Sequence, residues 1–343
     1  MKRITIGFDL AKHVFQVHGI DESGAVIIRR RLRRSEVSGF FRGLEPCLVG
    51  MEACATSHFW ARELLALGHE VRLMPPSYVK PYVKRSKNDA ADAQAICEAV
   101  TRPTMRFVPV KSATQQSVLM LHRVRDLLIR QRTMLVNALR AQLSELGIIA
   151  AQGMANIKVL TAIVRDEGDG RVPPLARMCL TAIIEQLGDL EARIGVIERA
   201  IHSWHRTNET SRRLETIPGI GPITASAIAA TVTDPTLFSC GRQLAAWFGL
   251  VPRQNSSGGK ERLGHISKQG DPYIRRLLIV GAHGVLRYAR GKGRTPTPWL
   301  DGLLARRPYK VAAVALANKM ARIAWAVLAT GETYRRPQLA QPA

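Results

Sequence analysis

Apolar positions recur every second residue along RITIGFD (3–9), and with the β-branched-rich VFQVHGI (14–20) and AVIIRRRL (25–32) this predicts three strands, with Asp21–Gly24 turning the chain between the last two. RSEVSGFFRGL then predicts a short helix, CLVGMEA a fourth strand, and SHFWARELLALG a helix closed by Gly68. HEVRLMP predicts a fifth strand stopped by two prolines, and KRSKNDAADAQAICEAV contains the opening of a further helix. Three strands in a meander, then helix, strand, helix, strand, helix, is the order of a ribonuclease-H-like layer. In that fold the first and fourth strands lie side by side, which would bring Asp9 near Glu52.

The pattern changes after residue 110. Residues 112–147 repeat apolar positions at spacings of three and four (Val118, Leu121, Val124, Leu127, Leu128), and residues 174–207 do the same with Leu180, Ile183, Leu187, Leu190, Ile194 and Ile197. Both segments exceed what a packed helix needs, and they predict an antiparallel coiled-coil arm or dimerisation strut. The Gly-, Asp- and Pro-rich stretch near Gly168–Pro174 reads as a loop. A third unit opens with LETIPGIGPITASAIAA and closes with a small-residue helix ended by Gly331; the tail RRPQLAQPA is expected to be disordered. The expected organisation is an α/β domain over 1–110, a coiled-coil arm over 111–207 and a mainly helical domain over 208–343.

Charge narrows the function. Lys and Arg number 50 against 27 Asp and Glu, a formal net charge of +23 in 343 residues. Such an excess favours a polyanion, nucleic acid before an anionic membrane. No uninterrupted apolar stretch reaches the ~18 residues of a membrane span; the best, VAAVALA, is cut by Asn318 and Lys319. The N-terminus opens directly on a strand without a signal-peptide pattern, so a cytoplasmic, nucleoid-associated protein is expected. Cys47, Cys54, Cys97, Cys179 and Cys240 form no CxxC pair and read as small core residues rather than disulfides or zinc ligands.

Four acids stand out against this basic background. Asp9 and Glu52 each follow an apolar strand run, where an unpartnered acid is expensive. Asp89 and Asp92, three apart, share one face of a helix, although helix capping alone would also place acids there. Together they offer the oxygen ligands that Mg²⁺ or Mn²⁺ prefers, for phosphodiester chemistry. IPGIG (217–221) predicts a turn between two short helices, with Gly219 and Gly221 letting the backbone approach a phosphate. GLVPRQNSSGGKERLGHISKQG reads as a flexible cationic loop, within a region (251–310) holding 13 Lys and Arg against three acids. Its residues alone do not choose a nucleophile between Ser256 and Ser257, since no activating base adjoins either. The arginines at 29–34 fit a solvated sheet edge or a nucleic-acid face equally. His13, His18, His58 and His69 lack metal-ligand spacing. Tyr82, with Lys80, Lys84 and Arg85 around it, offers a stacking surface.

GFDLAKH, MEACATSHFW, KNDAADA, IPGIG and GLVPRQNSSGGK, in this order, resemble the DEDD transposases of bacterial insertion sequences, the one-hundred-and-ten group. The resemblance covers nearly the whole chain. It implies a ribonuclease-H-like domain similar to Holliday-junction resolvases, with Asp9, Glu52, Asp89 and Asp92 as the metal-binding catalytic acids. It implies a C-terminal transposase domain whose nucleophilic serine joins covalently to DNA; that serine falls on Ser257, with Ser256 adjacent. It further implies dimers and tetramers, DNA partners at the element ends and target, and a structured guide RNA. One departure is Ala55, where many members carry Gly shortly after the glutamate. The expected function is a metal-dependent recombinase that moves its own insertion sequence. The alternatives are a metal-only junction endonuclease, in which water attacks, and a non-enzymatic nucleic-acid binder. A sugar-kinase-like ATPase is disfavoured by charge and by the lack of a second phosphate loop.

Overall fold

The opening strands are buried through their middles, at Ile6–Phe8 and at Phe15 and Val17–Gly19, as central strands covered on both faces are. The computed structural model describes residues 4–84, 88–291 and 297–335; Arg85 and the tail from residue 336 lie outside the described residues. The chain divides into two units, residues 1–116 and 117–343.

In the first unit, β1 (Thr5–Asp9), β2 (Val14–Ile20) and β3 (Val26–Arg33) form the antiparallel meander. A 3₁₀ turn (Arg34–Glu36) leads to α1 (Val37–Arg42), then β4 (Leu48–Glu52), α2 (Ser57–Ala66), β5 (Glu70–Met74), α3 (Pro76–Val79) and α4 (Asp89–Val100). Among the described residues the strands form one five-stranded sheet in the order β3-β2-β1-β4-β5, with β1, β4 and β5 parallel. The first and fourth strands are therefore neighbours, as the element order predicts.

The two faces of this sheet are filled differently. On one face Phe8, Phe15, Phe41 and Trp60 make an aromatic cluster under α1 and α2, with Phe8 and Phe15 centroids 5.4 Å apart. On the other face α4 lies against almost bare backbone. A Cβ at Gly7 would sit 2.0 Å from the Ala93 carbonyl oxygen, and one at Gly50 would sit 2.7 Å from Val100 Cβ. Small residues on both partners allow this approach, since Ala93, Cys97 and Ala99 are the buried side chains of α4 nearby. Asn88 caps the helix by accepting from the Ala90 N–H at 3.0 Å.

Helix α5 (Ala113–Glu145), which a capping box of Ser112 and Gln115 starts, runs from the last residues of the first unit into the second. Then come α6 (Ala155–Arg165) and α7 (Pro174–Thr207). Leu139 and Leu143 of α5, Ile157, Leu160 and Val164 of α6, and Leu180, Ile184 and Leu187 of α7 share one core. The two long helices thus meet a third, α6, which the sequence reading did not anticipate, and the expected loop near 168–173 follows it. The rest comprises α8 (Glu209–Glu215), α9 (Pro222–Thr231), α10 (Gly241–Trp247), β6 (Pro252–Gln254), β7 (Leu263–Ile266), α11 (Pro272–Gly291), α12 (Pro298–Arg306) and α13 (Tyr309–Thr330). By length and composition α13 could cross a membrane, with a mean hydropathy of 1.5 over its most apolar window. Its Ala313, Ala317, Met320 and Ala324 are buried in this unit's core with Phe248, Leu278 and Leu286.

Two expectations change here. Cys47 and Cys97 are buried, but Cys54 and Cys179 are exposed and so are not core residues. His69 is structural: its Nδ1 accepts from the Cys47 N–H at 3.3 Å, and its Nε2 bonds the Phe41 carbonyl at 3.0 Å.

Gly7→Ala should cost about 3 kcal/mol, because helix backbone rather than a yielding side chain meets the new methyl. Gly39→Ala in α1, with open space around it, should gain roughly 0.5–1 kcal/mol. Urea unfolding of both variants checks this, and a Gly7→Ala protein as stable as the parent would contradict the packing.

Candidate functional site

The approach of α4 to β1 sets the geometry of the acids. Asp9 ends β1, while Asp89 and Asp92 occupy the first turn of α4, where the helix dipole favours negative charge. Carboxylate oxygens of Asp9, Asp89 and Asp92 lie within 4.8 Å of one another. Glu52, at the end of β4, is not in this trio, although its charge reaches Asp9.

Their mutual repulsion shows in the protonation of Asp9. Burial, then the charges of Asp92 and Asp89, push its pKa up from 3.8 to about 6, against a hydrogen bond from the Leu10 backbone. Burial, then Asp9 and Asp92, push Glu52 upward as well. Two half-buried carboxylates and one exposed one this close hold uncompensated negative charge. A divalent cation bound by oxygen is the partner that such a set suits.

The turn after Glu52 is strained. Thr56 has φ 75°, in the left-handed region, which is costly for a β-branched residue. The residue beside it, Ala55, is where the sequence departs from the family pattern, so the strain falls one position further on.

In the second unit the serines lie on a ribbon rather than a loop. β6 and β7 pair antiparallel, and Ser257 bridges Lys260. Gly258 (φ 55°) and Gly259 (φ 76°) both take left-handed conformations, and the Lys260 N–H donates to the Ser257 carbonyl at 3.1 Å. This is a two-residue hairpin turn of the type that needs positive φ at both positions. Ser256 Oγ accepts from the Arg262 N–H at 3.2 Å. Ser257 is exposed at the tip, and its hydroxyl has no hydrogen-bond partner among the described residues. Below the ribbon a groove of about 1520 Å³ runs to α10 and α13, bearing Arg242, Lys268, Lys310, Lys319 and Arg322.

The IPGIG turn joins α8 to α9, but Gly219 serves packing rather than phosphate approach. A Cβ there would meet Met320 Cε at 2.8 Å and the Gly281 carbonyl oxygen at 3.0 Å. Gly221 faces open space. Tyr82 carries the Arg102 guanidinium 5.9 Å from its ring centroid. Sequence reading missed His122, whose Nδ1 bonds Tyr273 Oη at 3.0 Å and whose Nε2 bonds Ser226 Oγ at 3.1 Å. Burial, then Arg125, lowers its pKa to about 4, so it stays neutral and ties α5 to α9 and α11. Only its regular helical spacing on α5 marks it in the sequence.

Asp9 at the end of β1 thus meets Asp89 and Asp92 at the start of α4, and in the second unit an exposed serine stands on a cationic ribbon. Among known proteins, the model of DEDD transposases of the IS110 group, described as "Transposase", matches residues 6–148. A second, described as "Transposase IS116/IS110/IS902 family", matches residues 211–296. A Pseudomonas aeruginosa protein named "Probable family 20 transposase" is 53% identical over 332 residues, 96% of this chain and 98% of its own length. The transposase for insertion sequence element IS1111A of Coxiella burnetii is 43% identical over 98% of this chain and 92% of its own. That for IS1328 of Yersinia enterocolitica is 41% identical over 96% of this chain and 98% of its own. The chain belongs to the IS116/IS110/IS902 family of transposases, and transposases act on DNA.

Asp9→Asn provides a test of the repulsion. A raised carboxyl pKa means that stability falls as pH rises from about 4 through 6, and the penalty is full above that. After discounting for solvent screening of a half-exposed group, removing it should stabilise the metal-free protein by about 1 kcal/mol at pH 8. That corresponds to roughly 2–4 °C, and the gain should vanish near pH 4. Melting curves in chelator read it; a variant less stable than the parent at pH 8 would refute the repulsion.

Proposed function

We propose that this transposase cuts and rejoins the DNA of its insertion sequence through a divalent-metal site and a serine nucleophile. The first unit is read as a ribonuclease-H-like catalytic domain, which the adjacency of β1 and β4 supports. Asp9, Asp89 and Asp92 would hold the ion, with Glu52 beside them; the convergence of three carboxylates within 4.8 Å is the observation that carries this reading. When bound, Mg²⁺ or Mn²⁺ supplies Lewis-acid polarisation of the scissile phosphate and stabilises the leaving oxygen.

Ser257 supplies the nucleophile. Its Oγ forms the new bond to phosphorus and its proton passes to water, while the bond from phosphorus to one deoxyribose oxygen breaks and that oxygen takes up a proton. The phosphoserine ester keeps the bond energy, so a DNA hydroxyl can reverse the attack, reseal the strand and restore the serine without a nucleotide cofactor. Ser257 is favoured over Ser256 because its hydroxyl is uncommitted at the hairpin tip, whereas Ser256 bonds the ribbon backbone. Lys260 and Arg262 beside it suit the DNA backbone. Reading 111–207 as an oligomerising coiled-coil arm, 208–343 as the strand-joining domain, and a structured RNA as guide rests on the family resemblance. The guide would copurify as one specific transcript rather than as mixed cellular RNA.

The serine is tested on a denaturing gel with labelled element DNA, guide RNA and metal, followed by mass spectrometry of the linked peptide. Ser257→Ala should lose both adduct and recombination, while Ser256→Ala should keep both. An adduct on Ser256 would shift the nucleophile by one residue. Cleavage without any adduct would favour the metal-only endonuclease.

A further inference from the structure

The arginines of β3 fall into two groups once the strand register is known. Directly paired residues on adjacent strands point to the same face. Asp9 pairs with Gln16 and Gln16 with Arg31; Gly7 pairs with His18 and His18 with Arg29. Arg29, Arg31 and His18 therefore share the sheet face that carries Asp9 and is covered by α4. Arg31 stands two strands from Asp9, about 10 Å at the usual strand spacing. Arg30 points the other way, its guanidinium 5.7 Å from the Phe40 ring centroid.

Between β2, β3 and the first turns of α4 lies a cleft of about 460 Å³, lined by Gln16, His18, Arg29, Arg31, Asn88 and Gln94 among others, with no carboxylate in its wall; Arg30 also lines it, although its guanidinium lies over Phe40. The side chains of Arg29 and Arg31 make no hydrogen bond or ion pair among the described residues. His18 is only 6% exposed and lines this cleft beside Arg29. Burial, then Arg29 and Lys84, lowers its pKa. Two free guanidinium groups around a cleft with no carboxylate in its lining call for an anion with several acceptor oxygens. Arginine forks suit phosphate in particular.

We propose that this cleft binds a backbone phosphate of the DNA strand, anchoring it so that a phosphate further along the same strand reaches Asp9, Asp89 and Asp92. The inference rests on the reading of those acids as the cutting centre and gives that centre its strand-positioning subsite.

The test is salt-dependent binding of a fluorescent single-stranded DNA to the full chain in chelator, so that chemistry plays no part. Each lost phosphate contact should lower the slope of log affinity against log salt by about 0.7. Arg29→Gln and Arg31→Gln should each do so, whereas Arg30→Gln, with the same loss of charge, should keep the parent slope. Gln94→Glu places an anion in the opposite wall without touching an arginine, and should weaken binding at least tenfold. Unchanged slopes in the Arg29 and Arg31 variants, an equal loss in Arg30→Gln, or effects confined to an RNA oligomer would each overturn the proposal. If the slopes change as expected but the parent never cleaves DNA with metal, the cleft stands and the cutting-centre reading falls. If the parent cleaves and the slopes do not change, the reverse holds.

Discussion

The first unit depends on α4 lying against backbone. Gly7 and Gly50 sit on the neighbouring central strands β1 and β4, and helix atoms occupy the space that their side chains would take. That contact fixes the height and register of α4 over the sheet. It therefore carries Asp89 and Asp92 to the end of β1, where Asp9 emerges. Close packing of apolar surface is thus spent on gathering like charges, and the strained Thr56 lies in the same corner. Functional sites commonly hold such locally unfavourable arrangements, which the surrounding fold over-determines.

The two chemical elements are held in opposite ways. The acids stand on buried scaffold, and their positions follow from strand ends and one helix turn. The serine stands at the tip of a fully exposed ribbon, positioned by a turn that only residues tolerant of positive φ can make. In the proposed reading, rigid spacing lets the acids share one ion, while projection lets Ser257 reach a large polyanion. The groove beneath the ribbon bears five Lys and Arg side chains, Arg242, Lys268, Lys310, Lys319 and Arg322.

Much of the first unit was legible because its strands are apolar and rich in β-branched residues, and buried acids at strand ends conflict with that pattern. The glycines inside β1 and β4 also carried a readable signal, since glycine within a strand often marks a close backbone approach. Glu52 was placed with the other three acids by strand adjacency, by the apolar run it ends and by the family resemblance; its charge feels Asp9 and Asp92, while the carboxylates within 4.8 Å of one another are Asp9, Asp89 and Asp92. Helix α6 went unread because it has only 11 residues, with Ile157, Leu160 and Val164 buried, and no capping side chain. The ribbon showed no alternation because both strands are exposed, so its only signature was the Gly258–Gly259 pair. Gly219 misled for a different reason: a glycine that admits a phosphate and one that admits Met320 look the same in sequence.

The central claim is that α4 and β1 hold carboxylates whose repulsion a divalent cation relieves. Mn²⁺ binding to the full chain, followed by electron paramagnetic resonance from pH 5 to 8, measures this directly. Because Asp9 must lose a proton whose pKa lies at about 6, binding should tighten steeply as pH rises through that value and level off above pH 7. Asp9→Asn should abolish the steep rise. Mn²⁺ affinity that is flat across this range, or unchanged in the variant, would contradict the account.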